Sequence, residues 1–184
     1  MSKKVLVILA EGFEEIEAVT PIDVLRRAGL EVTLAGVSGK TITGAHGIKF
    51  QADITLDEYK GLPDAIVLPG GLPGAKNLGE SKKVAELVKR MNSQKKLVAA
   101  ICAAPALVLA PAGVLEGKKA TCYTGFEKNF PPSVSFSKDR VVVDGNIVTS
   151  CGPGSALEFA LELVEQLAGK EKAQTLKEGL LVKS

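Results

Sequence analysis

Between Lys4 and Val37 the chain reads KVLVILAEGFEEIEAVTPIDVLRRAGLEVTLAGV, and the fold turns on how this stretch is parsed. Lys4–Ala10 is a short apolar run, consistent with a buried strand. From Glu14 to Ala28 apolar residues recur at helical spacing. Ile16, Val19, Ile22, Val24 and Leu25 can share one broad face, and Gly29 ends the helix. Pro21 falls inside it and removes a backbone donor, so a kink or an irregular first half is expected. Glu31–Val37 is the second strand. A strand, a helix and another strand over this span make a βαβ unit, whose crossover is right-handed.

The alternation continues along the chain. Ser38–Leu56, rich in glycine and β-formers, is expected to hold short strands or a hairpin. Ala65–Leu68 is a buried strand followed by PGGLPG. Ser81–Asn92 is an amphipathic helix with Ser81 as its N-cap. Lys96–Ile101 is the next strand, Pro105–Ala110 opens the helix after it, and Lys119–Cys122 is a short strand. Ser133–Ser137, Arg140–Asp144 and Asn146–Ser150 alternate like strands, with a tight turn at Asp144-Gly145-Asn146. Gly154–Leu167 is a strong amphipathic helix with Leu157, Ala160, Leu161, Val164 and Leu167 or Ala168 inward, and Glu171–Glu178 is a shorter terminal one. No repeat, low-complexity tract or linker interrupts. The reading is an α/β sandwich with a mostly parallel sheet, one domain over residues 1–184.

Composition agrees with that class and excludes others. Of 184 residues, 46% are hydrophobic, 24% charged and 4% aromatic, an ordinary globular balance. The 23 basic and 21 acidic residues are dispersed, with no basic tail, so nucleic acid is not expected as the main partner. The apolar run Val5–Ala10 ends at Glu11, too short for a secretory core or a membrane span. Cys102, Cys122 and Cys151 form no C-x-x-C pair and no zinc pattern with the single histidine, His46. No metal or cofactor is expected, and a reducing, cytoplasmic setting is.

Ligands of open parallel sheets bind at the carboxyl ends of the strands. Four unusual segments leave strands at that edge: EGFEEIE, PGGLPG, CAAP and SCGPGS. In LVAAICAAPALVLA, Leu97–Ala110, Cys102 has small residues two before and two after it, Ala100 and Ala104, as a nucleophile elbow requires. Pro105 suits a first helical turn, and a thiol at a helix start is expected to favour thiolate. A small buried hydrophobe would fit Cys102 as well on spacing alone. Gly70-Gly71 can bring backbone N–H groups to the cleft for an oxyanion, or form a tight turn. Glu14, Glu15 and Glu17 crowd a helix start; one could point into the cleft and share a proton with Cys102, and spacing does not choose which. His46 is expected away from the crevice, in a structural role. Cys122 and Cys151 are read as packing residues, with Cys151, beside Gly152 at a helix start, placed where it could line the cleft.

Taken together, LVILAEGFEEIEAV, AIVLPGGLPGAKNL, VAAICAAP and TSCGPGSALEFALELV resemble the ThiJ/PfpI superfamily, nearest its parkinsonism-associated deglycase branch, over essentially the whole chain. The resemblance implies a flavodoxin-like three-layer sandwich and a homodimer. Position by position, it makes Cys102 the oxidation-sensitive elbow cysteine, Glu17 its carboxyl partner, and the N–H groups of Gly71 and Ala103 the oxyanion donors. Gly70, Leu72, Tyr123, Gly152 and Pro153 are the expected substrate-lining residues. Two positions depart from the pattern: Tyr123 stands where many members place a histidine, and Cys151 where an arginine often precedes the GPG turn. The implied activity is glyoxalase or deglycase chemistry on methylglyoxal, glyoxal or their thiol and amine adducts, without metal or added glutathione. The second implied role is a redox sensor or holdase chaperone acting through Cys102 sulfinate. Peptidase or amidotransferase chemistry is disfavoured without a nearby histidine.

Overall fold

The computed structural model describes residues 2–183. The opening βαβ unit is present: β1 (Lys4–Leu9), α1 (Glu15–Arg27) and β2 (Glu31–Gly36), with the strands parallel from Lys4 against Glu31 to Leu9 against Gly36. A hairpin follows, β3 (Thr41–Thr43) with β4 (Lys49–Gln51), and then β5 (Ile54–Thr55) beside β2. Next come β6 (Ala65–Leu68), α2 (Gly74–Glu80), α3 (Lys82–Ser93) and β7 (Leu97–Ile101). A π-helical turn over Pro105–Leu109 leads to β8 (Lys119–Ala120) and β9 (Ser135–Phe136). The chain ends with β10 (Val141–Asp144), β11 (Ile147–Ser150), α4 (Ala156–Ala168) and α5 (Lys170–Gly179).

The main sheet has seven strands in the order β10-β11-β7-β6-β1-β2-β5. All neighbours are parallel except β10 and β11, which Gly145 joins with φ of 62°. Helices α1, α4 and α5 pack together as one layer; α2, α3 and the π-helical turn form the other. This is the flavodoxin-like three-layer sandwich. The central strands β6, β7 and β11 are buried at every position, as their unbroken apolar runs demand. Ser81 caps α3, its hydroxyl accepting from the Val84 amide at 3.4 Å.

Three expectations need correction. Helix α1 runs unbroken through Pro21, whose buried ring packs in the core although the Glu17 carbonyl loses its usual donor. Ile16 and Val19 do not face the core: they are 54% and 41% exposed, because Ala18, Pro21, Ile22 and Leu25 take the inner stripe. After β7 the chain forms a five-residue π-helical turn rather than a regular helix from Pro105. Among the described residues, no helix is long and apolar enough to cross a membrane.

Candidate active site

The four segments do converge. They leave β1, β6, β7 and β11, which are consecutive in the sheet apart from their direction of numbering, so their carboxyl ends form one short arc. Cys102 follows β7 with φ of 64°, in the left-handed region that costs a non-glycine residue about 1–3 kcal/mol. That conformation belongs to an elbow, and it turns the side chain out of the strand's alternation. Its backbone is held from both sides: the Cys102 N–H donates to Ser150 O at 2.9 Å, and Cys102 O accepts the Tyr123 N–H at 2.8 Å.

Glu17 is the carboxylate that reaches the elbow. It lies in the first turn of α1, wholly buried, with Oε2 accepting the Gly70 N–H at 2.8 Å. Oε1 has no hydrogen-bond partner, and the carboxyl lies close enough to the Cys102 thiol for each to shift the other's hold on its proton. Glycine at 70 is a steric requirement: a Cβ there would lie 2.6 Å from Cys102 Cβ and 2.8 Å from Glu17 Oε2. Gly71 has φ of +82°, and its N–H, with that of Ala103, is directed at the Cys102 sulfur. The structure thus brings Cys102, Glu17, Gly70, Gly71 and Ala103 together.

Electrostatics corrects one expectation. The thiol is pushed up to about 12, by burial first and then by the neighbouring Glu17 carboxylate; the Gly71 and Ala103 amides pull it down. A π-helical turn of five residues supplies too little aligned dipole to offset this. Burial also raises Glu17, to about 7. As pH rises through about 7 the pair comes to share one negative charge, and a thiolate forms when Glu17 takes the proton. The value near 12 belongs to the last proton, whose loss leaves two adjacent anions.

The rim is more open. Leu72 is 54% and Tyr123 47% exposed, and the Tyr123 ring faces Gly152, where a Cβ would meet Cδ2 at 3.1 Å. Gly152 is buried and Pro153 half-buried in the turn that opens α4. His46 is not remote from this edge. The hairpin folds over the loop after β1 through Gly12 N–H to Thr43 O and Ala45 N–H to Phe13 O. His46 Nδ1 lies 2.9 Å from Glu15 Oε2 and 3.6 Å from Glu14 Oε2, which raises the imidazole's pKa. Glu15 Oε1 accepts the His46 and Ile48 amides, so Glu15 anchors the hairpin while Glu17 serves the elbow. Glu14, Glu15 and His46 have ligand atoms within 4.8 Å of one another and could hold a metal ion.

A profile of the DJ-1/PfpI family matches residues 3–166. The chain belongs to that family. It is 46% identical to Protein dj-1beta of Drosophila melanogaster over 185 residues, 99% of this chain and 98% of that one. It is 40% identical to the glutathione-independent glyoxalase DJR-1.2 of Caenorhabditis elegans, covering 95% and 94%. Its fold matches the solved structure of oxidized Toxoplasma gondii DJ-1 with a TM-score of 0.93, at 42% identity and full coverage of both chains. It spans only 40% of the length of the Arabidopsis thaliana Protein DJ-1 homolog B, at 48% identity over 94% of this chain.

Within the DJ-1/PfpI fold, buried hydroxyls also position the site, and motif reading overlooked them. Thr149 Oγ1 accepts the Thr121 N–H at 3.0 Å, setting the segment that carries Tyr123. Ser150 Oγ lies 2.7 Å from Ser155 Oγ and ties β11 to the turn before α4. Two hydroxyl residues ending a wholly buried strand were the available signal.

Proposed function

We propose that this chain is a cofactor-free glyoxalase or deglycase that works through Cys102 on methylglyoxal, glyoxal, or their thiol and amine adducts. What carries the reading is the buried Cys102–Glu17 pair, with the Gly71 and Ala103 amides directed at its sulfur. Glu17 takes the thiol proton as sulfur adds to the aldehyde carbon, and the amides stabilise the alkoxide that forms. Glu17 then moves a proton from the aldehyde-derived carbon to its neighbour, leaving a thioester. Water cleaves the thioester and releases lactate or glycolate with the thiol restored. The enzyme name carried by the Caenorhabditis relative supports the substrate class. The working form is a homodimer in a reducing cytoplasmic setting, and Leu72, Tyr123, Gly152 and Pro153 line the substrate's approach.

Lactate formation tests this, from free methylglyoxal and from a preformed thiol adduct, for wild type and Cys102→Ser. The variant is expected to lose at least about 100-fold, the scale of a lost covalent step. Equal rates would sink the covalent mechanism.

A second reading is a redox sensor or holdase in which Cys102 becomes a sulfinate. The same buried carboxyl favours it, because protonated Glu17 can donate to a sulfinate oxygen. Mild peroxide should then add two oxygens to Cys102 before either other cysteine gains any. A gain of two oxygens at Cys122 or Cys151 before Cys102 ends the sensor role.

A further inference from the structure

Cys122 and Cys151 take no part in that chemistry, yet they flank the backbone of the residue that does. Cys151 follows Ser150, which accepts the Cys102 N–H, and Cys122 precedes Tyr123, which donates to the Cys102 carbonyl. The two flanking segments run side by side. Thr121 N–H meets Thr149 Oγ1 at 3.0 Å at one end, and the Tyr123 ring lies on Gly152 at the other. Cys122 and Cys151 both fall between these two contacts. Both also line one cavity of about 470 Å³, together with Thr124, Glu127 and Phe136. A disulfide spans Cα atoms roughly 4.4–6.8 Å apart, the spacing of neighbouring chain segments. The buried Thr121 hydroxyl on this cavity has no hydrogen-bond partner, so Thr121 is held here through its amide alone.

We propose that Cys122 and Cys151 are a redox pair that closes to a disulfide across this cavity under hydroperoxide. Access sets the order of events: Cys151 is half-buried, whereas Cys122 is 2% exposed. Cys151 Sγ lies 3.4 Å from Ser155 Oγ, a hydroxyl that can stabilise charge on sulfur. The Cys151 thiol attacks the peroxide, breaking the O–O bond to give a sulfenic acid and the corresponding alcohol or water. Cys122 sulfur then attacks the sulfenic sulfur; water leaves, and the pair has lost two electrons and two protons. The bridge ties the Tyr123 segment to the turn of Gly152 and Pro153, fixing one wall of the entrance to Cys102. A dithiol reductant reopens it.

The test is graded hydroperoxide on the Cys102→Ser variant, which leaves this pair as the thiols available, followed by alkylation and a non-reducing digest read by mass spectrometry. The expected result is loss of two hydrogens, joint disappearance of both alkylatable thiols, and one linked peptide that a dithiol restores. In Cys122→Ser the reaction should stop at Cys151 sulfenic acid, trapped by a 1,3-diketone. The same linked peptide is sought in oxidised wild type, so the result does not depend on any variant folding. In protein that keeps both cysteines, oxygen added to either thiol without a linked peptide overturns the proposal. So does a link between two chains, or two free thiols at a dose that has converted Cys102 to sulfinate.

Discussion

Glu17 and Gly70 are joined by a 2.8 Å hydrogen bond from the Gly70 amide to Oε2, which fastens the first turn of α1 to the loop after β6. One backbone donor thus holds a wholly buried carboxyl against the Cys102 thiol.

The first consequence is a pH-dependent stability. Glu17 has a folded-state pKa of about 7 against an ordinary 4.5, so the folded protein holds this proton more tightly than the unfolded chain does. The contribution is complete below pH 4.5 and is lost as pH rises through 7, up to about 3 kcal/mol. Glu17→Gln keeps an acceptor for Gly70 without the charge. Thermal melts should place this variant above wild type at pH 8, with the gap closing toward pH 4.5. A gap independent of pH means the carboxylate is not desolvated.

The thiol's reactivity should follow the pair and not the isolated cysteine. In wild type, alkylation of Cys102 by a neutral reagent is expected to rise with a midpoint near 7, then stay level until close to 12. Glu17→Gln should remove the step near 7. A single midpoint near 8.5 in wild type would show that the thiol titrates alone.

Gly70→Ala should disable the site directly. The added Cβ lies 2.6 Å from Cys102 Cβ, 2.8 Å from Glu17 Oε2 and 2.9 Å from Ile101 O, and backbone cannot retreat as a flexible side chain could. Lactate formation should fall by about 100-fold or more, with a stability loss of about 1–3 kcal/mol. Gly179→Ala, where a Cβ meets nothing within 4 Å, is the matched control and should change neither.

Tyr123 separates a wall from a proton donor. Its ring packs on Gly152 while the side chain stays 47% exposed. Tyr123→Phe should keep kcat/KM within about 3-fold, whereas Tyr123→Ala should lower it about 10-fold by opening the rim. A 100-fold loss in Tyr123→Phe would instead give the hydroxyl a proton-transfer task in the reaction.

Ile16, Val19 and Ile48 are 54%, 41% and 55% exposed, and Glu15, next to Ile16, accepts the Ile48 amide. An apolar patch of this kind fits the proposed dimer contact. Ile16→Glu should shift sedimentation from dimer to monomer; an unchanged dimer places the contact elsewhere.

Legibility in the sequence followed how local each signal was. The buried strands Ala65–Leu68 and Leu97–Ile101 show as unbroken apolar runs, and Ser81 announces α3 three residues before the amide it caps. The elbow at Cys102 was readable from Ala100 and Ala104. Helix α2 was not, because GAKNLGE is short, carries two glycines and follows Pro73. Ile16 and Val19 fit a helical stripe as well as Ala18 and Leu25 do; only the layer packed against α1 decides which side is inside. His46 lies 31 residues from Glu15, so its place beside the crevice exists only once the hairpin has folded back. The choice of Glu17 over Glu14 and Glu15 likewise needs the loop after β6, or a family pattern, to settle it.

The site's parts lie far apart along the chain: residues 14–17, 70–71, 102–103 and 151–153 each follow a different strand of one sheet. Pairings of that sequence separation close late and slowly, since loop entropy is lost before the contacts reward it. No fragment ending before β11 can hold the Cys102 amide, because its acceptor is Ser150. During synthesis the thiol therefore stays an ordinary cysteine until β11 is available. The onset of its unusual reactivity is a clock for completed folding, one that a stopped-flow alkylation could read against the far-ultraviolet signal.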